Sequence, residues 1–135
     1  MKSIVFFTTL LVVGTTAELT LSSFSHSKPW SAPAKAEKTS NPVKGDATSL
    51  KEGKALWSKH CQSCHGKTGL GDGNKAAQLE TDPGDFSTGT FQGQSDGSLF
   101  YKISEGRDDM PSFKKKVEDD EEIWNIVNYI RTLKK

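Results

Sequence analysis

The chain has 135 residues, 33% of them apolar, and a formal net charge of +1. That length allows one domain, or a small domain with added segments. So small a charge gives no electrostatic case for nucleic acid or an anionic membrane surface as a partner. The charge is unevenly spread: residues 1–45 carry five Lys against two acids, whereas residues 46–135 carry eleven Lys and two Arg against fifteen acids. The N-terminal third and the rest are different materials.

The first element is "MKSIVFFTTLLVVGTTAELT". Lys2 precedes an apolar run from Ile4 to Val13, and Thr15 and Ala17 follow at the spacing a signal peptidase accepts. This is the layout of a secretory signal peptide over residues 1–17, with cleavage near Ala17. The run is about half of the ~20 residues that span a bilayer. An uncleaved anchor is the competing reading, because Thr15 is not ideal for the peptidase. A lipoprotein would need a Cys just after the run, and the first one is Cys61. Residues 18–48 are rich in Ser, Pro, Ala and Lys and have no hydrophobic period. They are expected to form a flexible tether, with His26 and Trp30 as exposed linker residues.

The folded part is expected over residues 49–135. "SLKE" reads as a capping box, with Ser49 as N-cap and Glu52 reaching back. Leu50, Gly53, Leu56, Trp57 and His60 follow at helical spacing and lead into "CQSCH". Residues 66–95 form a long polar loop with Leu70, Leu79, Phe86 and Phe91 as its apolar members. Its "GLGDG" is not a phosphate cradle, since no strand precedes it and no GKS or GKT follows. The glycines there supply positive φ for turns. A second helix is expected from Asp96 as N-cap, with Leu99, Phe100 and Ile103 as its apolar face and Gly106 as terminator. A last helix opens at Asp119, capped with Glu122, and buries Ile123, Ile126, Val127, Ile130 and Leu133. No strand periodicity appears, so the fold class is all-α. Three short helices and a long loop make a thin core for a domain of this size. Something other than protein is expected to fill its centre.

Cys61, Cys64 and His65 stand within five positions. A structural zinc site needs four ligands, usually two such pairs, and here there is one. A thioredoxin-like dithiol needs a βαβ context that is missing. A plain disulfide is open to an exported protein but leaves the centre unfilled. C-x-x-C-H is also the attachment pattern of c-type haem, and this is the favoured reading. Two thiols on one helical turn can add to the vinyl groups along one porphyrin edge, and the next residue then aims its imidazole at the iron. Met110 is the only Met besides Met1 and lies 45 residues after His65, in the loop "DDMPSF". Its thioether is a soft sixth ligand, and a His/Met pair raises the reduction potential. His60 cannot reach the opposite haem face, and His26 lies in the tether.

With "CQSCH", "GLGDG", "SDGSLFYKISEG", "MPSF" and "IWNIVNYIRTL" in this order, the chain resembles a class I, mono-haem cytochrome c from Ser49 to about Lys134. The resemblance implies a small all-α fold of three main helices and long loops around one covalent haem c. Cys61 and Cys64 would form the thioethers, and His65 and Met110 would be the axial ligands of the iron. Phe86, Leu99 and Ile103 would line the haem. The first and last helices would cross closely at Gly53, with Trp57 against Ile126 and Tyr129. A backbone carbonyl, with Pro83 as the candidate, would orient His65. Similar sequences often carry a second Pro at the position of Thr81, and this one departs from them there.

A six-coordinate haem leaves no site for substrate. The expected role is therefore single-electron transfer outside the cytoplasm and not enzymatic catalysis. The expected location is the periplasm, with attachment to the inner membrane only if the N-terminal segment stays uncleaved. The expected partners are redox protein donors and acceptors, membrane oxidoreductases among them, and no nucleic acid. Lys114, Lys115 and Lys116 could dock an acidic partner, in which case reaction rates fall steeply with salt. The alternatives are a haem-based small-molecule sensor, a peroxidase-like enzyme with a labile Met110, and a haem-free disulfide or metal-binding module.

Overall fold

The computed structural model describes residues 29–117 and 119–135. The expected signal peptide, its cleavage site at Ala17 and His26 lie outside the described residues. The helices are α1 (Ala34–Glu37), α2 (Ala47–His60), α3 (Gln62–His65), α4 (Gly89–Gln92), α5 (Asp96–Glu105) and α6 (Asp120–Arg131), with a 3-10 turn at Ala76–Gln78. Among the described residues there is no strand, only a bridge between Arg107 and Met110. No described helix is long and apolar enough to cross a membrane.

The core forms where α2 and α6 cross. Trp57, Ile123, Ile126 and Val127 are almost wholly buried there, and Trp124 and Ile130 extend the patch. Gly53 is what lets the helices meet. A Cβ at this position would lie 2.0 Å from the Asn125 carbonyl oxygen. Polar side chains pin the crossing. Ser49 Oγ donates to Asn125 Oδ1 at 2.6 Å, and Asn125 Nδ2 donates to Glu52 Oε2 at 2.9 Å. Asn128 Nδ2 donates to Ser49 Oγ at 2.9 Å. These bonds supply the partners that buried polar groups require, and no buried side-chain nitrogen or oxygen among the described residues lacks one. Arg131 closes the other end, its Nη2 donating to Asp96 Oδ1 at 2.7 Å and to the Gln94 carbonyl at 2.6 Å.

The helix starts differ in part from expectation. Ser49 does not cap α2. Asp46 does, accepting from the Thr48 and Ser49 N–H groups at 3.1 Å each. Ser49 sits a turn further in, its hydroxyl committed to α6. Ser95, not Asp96, caps α5 by accepting the Ser98 N–H at 3.1 Å, and Asp96 turns to Arg131 instead. Asp119 caps α6 through the Glu122 N–H at 3.1 Å, as expected. Gly106 ends α5 with φ of 69°.

The larger correction concerns residues 29–46, read from composition as tether. They form a strap over α5 and α6. Ala32 is buried, and Gly97 on α5 comes so close to α1 that a Cβ would lie 2.0 Å from the Ala36 carbonyl oxygen. Asn128 Nδ2 donates to the Val43 carbonyl at 3.2 Å, and Asn41 Nδ2 donates to Asn128 Oδ1 at 2.8 Å. Trp30 is half-buried, with the Arg107 guanidinium 4.9 Å and Lys102 Nζ 5.7 Å from its ring centre. The strap needs no core of its own, because it borrows a surface that the helices already provide.

Candidate functional site

The CQSCH segment follows directly on α2. Cys61 ends α2 with its N–H donating to the Trp57 carbonyl at 2.9 Å. The single turn α3 follows, and the Cys61 carbonyl accepts the Cys64 and His65 N–H groups at 3.2 and 3.0 Å. Both sulfurs and the imidazole thus come from one compact turn. No disulfide joins the two thiols. Cys61 is buried, and burial, with a smaller push from Cys64, raises its pKa to about 12. Among the described residues no group of three or more His, Cys, Asp or Glu is gathered for a metal ion.

The loop after His65 folds back over this turn. The Gly71 N–H donates to the His65 carbonyl at 2.9 Å, and the Lys75 N–H to the Ser63 carbonyl at 2.8 Å. Gly69 and Gly71 take the positive φ expected of them, at 73° and 76°. Gly73 serves by closeness instead, since a Cβ would lie 2.4 Å from the Ser63 carbonyl oxygen. Trp57 Nε1 donates to the Gly66 carbonyl at 3.1 Å, tying the loop to the core of α2.

His65 is held on two sides. Its Nδ1 lies 3.1 Å from the Pro83 carbonyl oxygen. A carbonyl can only accept, so Nδ1 carries the proton and Nε2 keeps its lone pair. Burial lowers the pKa of His65, against the raising effect of that same carbonyl. The Pro83 carbonyl is aimed by a turn in which Asp82 Oδ1 accepts the Gly84 N–H at 2.8 Å. Phe86 stands beside the imidazole with ring centres 4.7 Å apart and stacks on Phe91 at 3.9 Å. Trp57 is 5.8 Å from the imidazole by ring centres.

Phe86, Leu99 and Ile103 are all buried in the cluster that contains Cys61, and Met110 packs against the same cluster. Phe86 is the one in ring contact with His65. Leu99 and Ile103 sit on the buried face of α5. Met110 lies in a closed turn, with the Arg107 N–H donating to the Met110 carbonyl at 2.8 Å and the Met110 N–H to the Arg107 carbonyl at 2.9 Å. The next residues are pinned to α5: Ser112 Oγ donates to the Ser104 carbonyl at 2.7 Å, and the Phe113 N–H to the Ile103 carbonyl at 3.2 Å. His60 lies edge-on against Phe113, with ring centres 5.8 Å apart. Lys114 is ion-paired with Glu105, and Lys116 Nζ stands 5.3 Å from the Phe113 ring centre.

Two thiols and an imidazole on one turn, with the half-buried Met110 thioether at the same core, are residues that fit the attachment and ligation chemistry of a c-type haem. Sequence reasoning missed two contributors. Phe91 gave no signal beyond its apolarity. Asp109, read only as loop context for Met110, reaches across to the His65 side of the site, accepting the Glu80 and Thr81 N–H groups at 2.8 and 2.9 Å.

A profile of the family described as "Cytochrome C oxidase, cbb3-type, subunit III" matches residues 48–130. No curated protein matches the chain. Among solved structures, a chain of the Kuenenia stuttgartiensis reducing HAO-like protein complex Kustc0457/Kustc0458 is similar at 30% identity and a TM-score of 0.63. The match covers 70% of this chain and 47% of that one, so this chain spans about half the length of that relative. The KustC0563 c-type cytochrome is similar at 30% identity and a TM-score of 0.54, over 62% of this chain and 98% of that one. Cytochrome cL from Methylophaga aminisulfidivorans, at 24% identity and a TM-score of 0.51, covers 64% of this chain and 56% of that one, and speaks for the fold alone.

Proposed function

Because the chain belongs to the class I, mono-haem cytochrome c family and carries a covalently bound haem c, we propose how its own residues hold that group. Cys61 and Cys64 would hold it through thioethers, and His65 Nε2 and Met110 Sδ would bind its iron. Bound there, haem c supplies one-electron redox chemistry. The observation that carries the reading is the bond from His65 Nδ1 to the Pro83 carbonyl at 3.1 Å. It leaves Nε2 as the only nitrogen able to bind a metal and fixes the ring plane. Phe86, Trp57 and the buried face of α5 keep water from this side of the site.

With His65 and Met110 both committed to the iron, no position would be left for a substrate, and the protein would work as an electron carrier and not as an enzyme. Its partners are redox proteins, and its place is outside the cytoplasm, in the periplasm, where c-type haem is attached. The segment before residue 29 sets whether it is free or membrane-tethered.

Optical spectroscopy of the oxidised holoprotein tests the ligands. The weak far-red band of Met ligation is expected at neutral pH and is expected to vanish in Met110→Ala, which should then bind carbon monoxide when reduced. If the wild type lacks the band and already binds carbon monoxide, Met110 is not a ligand and a small-molecule sensor or peroxidase-like role replaces this one.

A further inference from the structure

Met110 is presented by a turn whose two central residues are both acidic. Asp108 takes a left-handed φ of 52°, a conformation Asp tolerates better than most residues. The next residue, Asp109, leaves the turn sideways. Its Oδ2 accepts the Glu80 N–H at 2.8 Å and the Thr81 N–H at 2.9 Å. These donors lie just before Pro83, whose carbonyl takes the His65 Nδ1–H. One carboxylate oxygen therefore joins the segment that orients His65 to the turn that presents Met110, although 29 and 28 positions separate it from its two donors. Both bonds are charge-assisted and run to backbone groups.

The arrangement also gives a reason for Thr81. Its N–H is one of the two donors, and proline at this position would have none to give. The Thr81 N–H and the Asp109 carboxylate are thus two halves of one contact.

We propose that Asp109 is a positioning residue that clamps the Met110 turn to the Glu80–Pro83 segment and so keeps the sixth iron position closed. The proposal rests on the reading of His65 and Met110 as axial ligands. Asp109 binds neither of them. It limits how far the Met110 turn can swing away and admit a small ligand.

The test compares holoprotein of the wild type with Asp109→Ala, Asp109→Asn and Thr81→Pro, by imidazole titration of the oxidised form and amide hydrogen exchange of the reduced form. In Asp109→Ala, imidazole affinity is expected to rise about tenfold and exchange at Glu80 and Thr81 to quicken by about tenfold or more, the size of a lost charge-assisted pair at a surface. Asp109→Asn, whose amide oxygen can accept both bonds, should recover most of the wild-type values. Thr81→Pro should fall between, since the Glu80 donor remains. Wild-type imidazole affinity and amide exchange in Asp109→Ala, with the far-red band present, would overturn the clamp and leave the ligands standing. A wild-type spectrum without that band, unchanged in Met110→Ala, would overturn the ligand assignment itself. Should Asp109→Ala yield no holoprotein, Thr81→Pro decides: imidazole affinity above wild type supports the clamp, and equal affinity refutes it.

Discussion

The crossing of α2 and α6 and the pair of loops around His65 and Met110 are built by different physics. At the crossing, large apolar side chains are buried around Gly53, and the polar pins between Ser49, Asn125 and Asn128 only set the register. The loops bury little of their own. Residues 66–85 and 106–112 are held mainly by single hydrogen bonds to carbonyls, turns and one carboxylate. Burial is non-directional and holds helices together; hydrogen bonds are directional and fix where an imidazole or a thioether points. Damage to the first region should cost global stability, whereas damage to the second should change ligation while the helices persist.

The harshest way to break the first region is Gly53→Ala. Its new Cβ would meet backbone 2.0 Å away, which no rotamer change can relieve. Separating the helices should cost about 3 kcal/mol, read as a lowered midpoint in denaturant unfolding of the holoprotein. Wild-type stability in this variant would disprove the close crossing.

Trp57→Phe sharpens the contrast because Trp57 belongs to both regions. Phenylalanine keeps most of the buried ring but removes the N–H given to the Gly66 carbonyl at 3.1 Å, leaving that carbonyl only a 3.4 Å bond from the Gly69 N–H. The expected loss is about 1–2 kcal/mol, with faster amide exchange along residues 66–73 than along α6. Equal acceleration in both places would mean that loop and scaffold are one cooperative unit.

The smallest effect is expected from Trp30→Ala. The ring holds Arg107 and Lys102 at a partly exposed site, worth about 0.5–1 kcal/mol. The change should appear as slightly lower stability with an unaltered haem spectrum. A changed far-red band instead would show that the strap acts on the Arg107–Met110 turn.

Much of the candidate site was legible from residue order alone because its proposed chemistry is local. The thiols and imidazole share one turn, so C-x-x-C-H needs no tertiary information to be read. The polar carbonyl partner of His65 was legible only through family resemblance, and Pro83 does occupy that place. Asp109 was not legible. An acid beside a Met in a loop has many possible uses, and its donors lie far off in sequence.

Local rules decided the helical faces, the stop at Gly106, the cap at Asp119 and the turn from Cys61 to His65, since each depends on neighbours within about one helical turn. Tertiary structure decided what distant elements compete for. Asn125 and Asn128 drew Ser49 away from a capping role, Arg131 drew Asp96 into an ion pair, and α5 and α6 offered a surface on which residues 29–46 could order. In each case a group with a permissible local use found a partner brought near only by folding.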